Sequence, residues 1–348
     1  MDPNMARVLE EEAVGAPAPP ALPEPRGPLS EHLVRRLAGE PGPVRLGRVR
    51  ADDPLSDDDL HLALYVCYEL HYRSFSGVDQ YWEWEPALIA ARLELEEPFE
   101  RALREAVPVD PTPPSEVERR LRELAAADDG PSLSRHLERR AGLGEFREFV
   151  VHRSGYQLKE ADPHSWAVPR LSGRAKEALI EVQADEYGGG RPGRMHSTLF
   201  ERTMRALGLD GRYGAYLDHL PGTTLATVNL MSLFGLHRRL RGAIVGHLAM
   251  FEMTSPVPNR RYGAGLRRLG VVGDALEFYD EHVEADAVHE AIAAHDLAQG
   301  LAVAEPSLTA DVLFGAAALL ALEDRFARAL LGAWSEPRSS LRLPIPVV

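Results

Sequence analysis

Apolar residues recur along this chain at helical spacing and almost nowhere in strict alternation. From Leu29 to about Val107 the pattern is helical, and Ser56 followed by Asp57–Asp59 marks a helix start leading into LHLALYVCYELHYRSF. From Glu116 onward, long periodic stretches are divided by Gly/Pro marks at Gly188–Gly193, Pro221–Gly222, Pro256–Pro258 and Gly270–Gly273. No alternating run lies between turn signals, so no sheet is expected. The pattern predicts an all-α chain, a compact bundle of about seven or more helices. Two segments interrupt it. Residues 1–28 are rich in Pro, Ala and Glu, end in PAPPALPEPRGP, and read as a disordered tail. VPVDPTPPSE (107–116) reads as a connector. The expected division is a tail over 1–28, an N-terminal helical region over 29–115 and a main helical domain over 116–348.

Charge and cysteine content narrow the chemistry. A net charge of −14 opposes a nucleic-acid or anionic-membrane surface, since both need clustered Lys and Arg. The single cysteine, Cys67, sits in the apolar run LALYVCYEL, so neither an internal disulfide nor a multi-thiolate metal site is expected. Met1–Glu12 is acidic with no apolar core after it, and the longest apolar run, Val312–Leu322, is short for a bilayer. The chain therefore reads as cytoplasmic, with no membrane and no nucleic-acid partner.

The segment Tyr279–Glu290, YDEHVEADAVHE, carries the strongest chemical signal. Offsets of four and seven residues put His282, Asp286 and His289 on one stripe of a helix. Ala275, Phe278, Tyr279, Ala285 and Ala293 share that sector, whereas Glu281, Glu284 and Glu290 point away. Two imidazoles and a carboxylate facing a core suit iron, manganese or zinc. A second helix, KEALIEVQADEY, turns Leu179, Ile180, Val182, Tyr187 and Glu186 inward; GGGRPG (188–193) breaks it and His196 follows. That break would let Glu186 and His196 reach one centre, although a Glu186–arginine pair and an ordinary turn fit the same letters. Glu160 shares a helical side with Phe146, Phe149, Val150 and Tyr156, and Pro163 kinks or ends that helix. His164 and Gln183 lie nearby as residues that would support ligands or touch substrate, and Tyr187 and Tyr279 flank ligands.

Glu160, Glu186, His196, His282, Asp286 and His289 are too many donors for one four-coordinate zinc and suit two iron ions. Three carboxylates against two Fe(II) leave a formal charge of about +1. No histidine follows a glutamate by three residues, which excludes the Glu-x-x-His pairs of ferritin-like bundles, and HExxH is absent. A haem site would set propionates against these carboxylates.

With these residues in view, the chain resembles the haem-oxygenase-like di-iron oxidases, the iron-containing redox enzymes, over roughly residues 130–340. The resemblance rests on His-x3-Asp-x2-His at His282, Asp286 and His289, on Glu186 and His196 around a break, and on LKEADPHSWAVPRL around Glu160. It implies a haem-oxygenase-like helical bundle, here with an N-terminal helical extension. It also implies two Fe ions, O2 as co-substrate, an external reductant or electron donor, and a small-molecule substrate undergoing N-oxygenation or oxidative C–C cleavage. Glu160 is the least specific carry-over, with Glu181 and Glu252 as alternatives. A homodimer is the ordinary expectation. Two other readings compete: a non-catalytic metal- or ligand-binding helical protein, and a metal-dependent hydrolase.

Overall fold

The computed structural model describes residues 18–127 and 130–345, without the side chains of 284–288. Among the described residues there is no strand. In chain order the helices used below are α1 Pro28–Leu37, α2 Asp58–Glu69, α3 Pro86–Ala106, α4 Val117–Ala126, α5 Leu133–Arg139, α6 Leu143–Gln157 and α7 Gly173–Glu186. They continue with α8 His196–Ala206, α9 Gly222–Leu236, α10 Arg241–Thr254, α11 Pro256–Arg268, α12 Asp274–Ala291 and α13 Thr309–Ser335. The expected start signals operate: the Asp57 side chain caps α2 by accepting from Leu60 N at 2.8 Å, and α9 and α11 begin at the Gly222 and Pro256 marks.

The centre of the bundle is the crossing of α10 and α13, the most extensive helix pair. The two backbones touch there. A Cβ on Gly246 would lie 1.8 Å from Val312 O, and one on Gly315 would lie 1.9 Å from Ala243 O. Helix α13 is 27 residues long, and by length and hydropathy it could cross a bilayer. More than half of its most apolar stretch is buried inside the protein, so it reads as a core helix. The run Val312–Leu322 is one part of that longer helix, which is why its length alone understated it.

Three local features depart from the sequence reading. Residues 18–27 are not a loose tail. They run extended along 214–218, where Glu24 N donates to Asp218 Oδ1 at 2.9 Å and the Arg26 guanidinium donates to Leu217 O at 2.9 Å; residues 1–17 lie outside the described residues. Helix α6 ends at Gln157, so Glu160 stands in a turn rather than on the helix. Ala161, with φ 73°, follows it in the left-handed region, before a single helical turn at Asp162–Ser165. Finally, α12 passes into a π-helical stretch, Ile292–Gln299, that packs between α7 and α10.

The α10–α13 contact makes a direct prediction. Gly246→Val adds three carbons where the backbones already meet, and should lower stability by about 1–3 kcal/mol or more. Thermal denaturation followed by circular dichroism would show this as a clear fall in Tm. Gly142→Ala, where a Cβ would meet nothing within 4 Å, is the matched control.

Candidate metal centre

Five segments deliver buried polar side chains to one place. The turn after α6 supplies Glu160, the last residue of α7 is Glu186, the first of α8 is His196, α10 supplies Glu252, and α12 supplies His282 and His289. All six are buried, none more than 6% exposed. Their donor atoms form two overlapping groups. Glu160, Glu186, His196 and His282 lie within 4.8 Å of one another, and so do Glu186, Glu252 and His289. Glu186 belongs to both.

The Gly-rich break places two of these residues. Gly188, Gly189 and Gly190 all have positive φ, and a Cβ on Gly188 would lie 2.7 Å from the Arg194 backbone. This tight reversal brings His196 Nδ1 to 2.8 Å from Glu186 Oε2, so the histidine, not an arginine, faces Glu186. Arg194, in the same connection, pairs with Glu281 on α12 and ties the turn to the ligand helix. Of the acidic residues expected to point away, Glu281 and Glu290 do so, Glu290 pairing with Arg122 at 2.9 Å, and the Glu284 side chain lies outside the described residues. Ala275, Phe278, Tyr279 and Ala293 are buried on the opposite side. Ile180, counted on the apolar side of α7, is 46% exposed.

The imidazoles on α12 are oriented from behind. His282 Nδ1 is 2.7 Å from Phe278 O one turn back. A carbonyl can only accept, so the proton is on Nδ1 and the Nε2 lone pair faces Glu160 Oε1 at 3.6 Å. His289 Nε2 is 3.0 Å from Asp185 Oδ2, and its Nδ1 faces Glu252 Oε2 at 3.6 Å. Neither 3.6 Å approach is a hydrogen bond. Both are separations that two donors about 2.1 Å from one ion would show. Glu160 Oε2 and His289 Nδ1 are buried without a hydrogen-bond partner. A void of about 10 Å³ beside Glu160, Glu186, Glu252 and His282 has room for about one water-sized body.

Electrostatics point the same way. Burial pushes the Glu160 carboxyl above its ordinary pKa, against the opposing pull of His282. Burial likewise raises Glu252. Burial alone would lower His289, but Glu252 and then Asp185 outweigh it and hold its pKa at about 9. Carboxylates driven toward neutrality and an imidazole driven toward charge describe a centre short of positive charge. Three imidazoles and three carboxylates, with Glu186 common to both groups, are a donor set that would fit transition-metal cations.

The other predicted positions divide. The Asp286 side chain lies outside the described residues. His164 lines the void with its Nε2 3.1 Å from His247 Nδ1, and burial lowers its pKa to about 3, so it is neutral. Gln183 donates to Ala161 O at 2.9 Å and Ser165 Oγ at 2.7 Å, which steadies the strained turn after Glu160. Tyr187 is turned from the centre, since its hydroxyl donates to Asp162 Oδ1 at 2.8 Å. Tyr279 is buried on the wall of a neighbouring cavity. Glu181 is exposed. Glu252 stands beside Glu160 rather than replacing it. Its signal was a lone carboxylate in the apolar run HLAMFEM. Asp185, on the polar side of α7, carried no signal of its own.

The cavity next to the centre measures about 480 Å³, with His282, Phe278 and Tyr279 at its buried end and Arg261, Asn259 and Ser134 among its other walls. A substrate-sized space thus opens onto the candidate metal ligands.

Comparison with known proteins gives this arrangement a context. A 145-residue stretch is 31% identical to a nitrosourea synthase of Streptomyces achromogenes subsp. streptozoticus, covering 41% of this chain and 30% of that protein. The chain therefore matches about a third of the length of that curated relative. A crystal structure of a CADD-like protein of unknown function from Nostoc punctiforme superposes with a TM-score of 0.50 at 16% identity, over 63% of this chain and 97% of that one, a likeness of fold. The family model described as iron-containing redox enzyme matches residues 147–324, just over half of the 348. These residues include Glu160, Glu186, His196, Glu252, His282 and His289, and the chain belongs to that family of oxidoreductases.

Proposed function

We propose that this chain is an O2-activating, non-haem di-iron oxidase or oxygenase acting on a small metabolite. The observation that carries the reading is the pair of buried donor groups sharing Glu186. One group supplies Glu160, His196 and His282, the other Glu252 and His289, and Asp286 on the same helix stripe is proposed to complete the second. Two iron ions held there would supply the reduction of O2 and the oxidation of substrate, with electrons from an external donor.

The chain's own residues do the rest. The Phe278 carbonyl and the Asp185 carboxylate engage one nitrogen each of His282 and His289 and so leave the other to the ions these histidines would hold. Gln183 and Tyr187 hold the turn that aims Glu160. Phe278 and Tyr279 line the adjoining space and keep water from the reacting groups. Oxidation at nitrogen is the favoured chemistry, since the relative with which this chain shares 31% identity is named for making a nitrosourea; oxidative C–C cleavage is the second.

Anaerobic Fe(II) loading followed by metal analysis should give about two iron ions per chain. Glu186→Ala removes the shared carboxylate and should leave well under one, whereas Glu252→Ala should leave about one. Oxygen uptake by the loaded wild type, lost in Glu186→Ala, completes the test. A single zinc per chain with no oxygen uptake would favour the hydrolase reading instead.

Ligand burial makes a second expectation. His289 Nδ1 on α12 is a costly buried polar atom until a cation satisfies it. Amide exchange in Tyr279–Ala293 should slow on Fe(II) addition. Unchanged exchange would show that the helix does not depend on metal.

A further inference from the structure

The 480 Å³ cavity has two chemically different ends. Its inner end is aromatic and buried, formed by Phe278, Tyr279 and His282. Its outer end is basic. Five charged residues line the cavity, and three of them are already engaged: Arg153 is paired with Glu323 through two bonds of 2.8 and 2.7 Å, and Asp324 accepts from Arg328 at 2.8 Å. The remaining two are Arg135, exposed, and Arg261, half-buried. Arg261 Nη1 donates to Ser134 Oγ at 3.1 Å and reaches Ser132 Oγ at 3.4 Å. Two hydroxyls hold it in place without neutralising it, and no carboxylate pairs with it among the described residues.

We infer that the cavity takes a small organic oxyanion, a carboxylate or a phosphate ester, whose acidic head is read by Arg261 at the rim while its apolar body lies on the aromatic wall beside His282. A guanidinium held by neutral hydroxyls keeps its charge and most of its donors for a ligand. The inner end repels such a head. Glu160, Glu186 and Glu252 line the small void that meets the cavity at His282, and adding Glu252 to the six donors read from sequence removes the formal +1 that two Fe(II) would otherwise retain. The anion is therefore drawn to the rim, and the far end of the molecule is presented to the metal ligands. In the sequence Asn259–Arg260–Arg261 reads either as an anion-binding group or as a solvated basic turn; α11 puts Asn259 and Arg261 on the cavity wall, with Asn259 buried.

This inference rests on the proposed oxidase for why the cavity binds a substrate, but its test does not require turnover. Binding of phenylbutyrate, phenylbutyl phosphate, phenylbutanol and phenylbutylamine to the full chain is measured by isothermal titration calorimetry, without metal and again with Fe(II) under nitrogen. At least one of the two anions should bind more tightly than the alcohol and the amine. Whichever anion is tighter identifies the head group. Arg261→Gln should weaken the anion roughly ten- to a hundredfold, the value of a hydrogen bond to a charged group, and leave the alcohol within about twofold. Arg261→Lys should recover part of the loss, and Ser134→Ala should give a smaller one. No preference for either anion, tightest binding of the amine, or equal losses for anion and alcohol in Arg261→Gln would overturn the assignment. Arg261-dependent binding in a chain that takes up no iron would leave the subsite standing and remove the oxidase; iron loading and oxygen uptake without Arg261 dependence would do the reverse.

Discussion

Buried carboxylates need positive charge, and the centre of this protein is built around that need. Glu160 and Glu252 find only imidazoles as ion-pair partners among the described residues, at 3.6 Å in each case. Lysine or arginine could have neutralised them, as Lys159 neutralises Glu69 nearby. A side-chain cation at Glu160 or Glu252 would fill the space and end the chemistry. Leaving the site to histidines keeps it open to a metal, at a cost in stability that the surrounding packing has to cover.

The surrounding structure shows how that cost is carried. Glu160 stands next to Lys159, which is 1% exposed and bonded to Glu69, itself fully buried, at 2.9 Å. Tyr213 donates to both oxygens of Glu69, and the Lys159 ammonium lies 4.3 Å from the centre of the Tyr72 ring. The N-terminal region is thus fastened through α2 to the turn that presents a candidate ligand. Losing either partner would strand the other charge in the core, a cost of about 3–5 kcal/mol, and would disturb the Glu160 turn directly. On the far side, the glycine contact of α10 with α13 sets the position of Glu252, and Arg194–Glu281 sets the α7–α8 connection against α12.

Much of this was legible in the letters, for identifiable reasons. His282 and His289 were readable because helical periodicity is robust over long amphipathic stretches, and α12 spans 18 residues. Glu186 and His196 were readable because three consecutive glycines announce a reversal, and a reversal brings its flanks together. Glu160 does join the buried donor group, but from a different element than the pattern implies. The pattern through Tyr156 and Glu160 continues a helix that in fact stops at Gln157, where the left-handed Ala161 turns the chain. Nothing in an alanine signals positive φ. Glu252 was only an alternative, because α10 is buried on nearly every face and periodicity cannot say which face meets a site. Asp185 orients His289 from the outer edge of α7, a contact 104 residues apart in sequence that only tertiary structure creates.

The arrangement also separates the two kinds of oxidative centre that a helical bundle of this type could hold. A haem needs a wide slot, one axial imidazole and basic groups for its propionates. Here the space among the donors is about 10 Å³, three imidazoles converge rather than one, and the nearest ionisable neighbours are acidic. Arg153 of the cavity is paired with Glu323, and its other basic groups sit apart, at Arg261 and Arg135. Acid at the centre and base at the rim would hold a tetrapyrrole the wrong way round, with its carboxylates facing glutamates. The same polarity suits cations within and an anionic small molecule approaching from outside. The division of charge between α10 and α12 on one side and α11 on the other therefore sets both what the bundle can hold and the direction from which it is met.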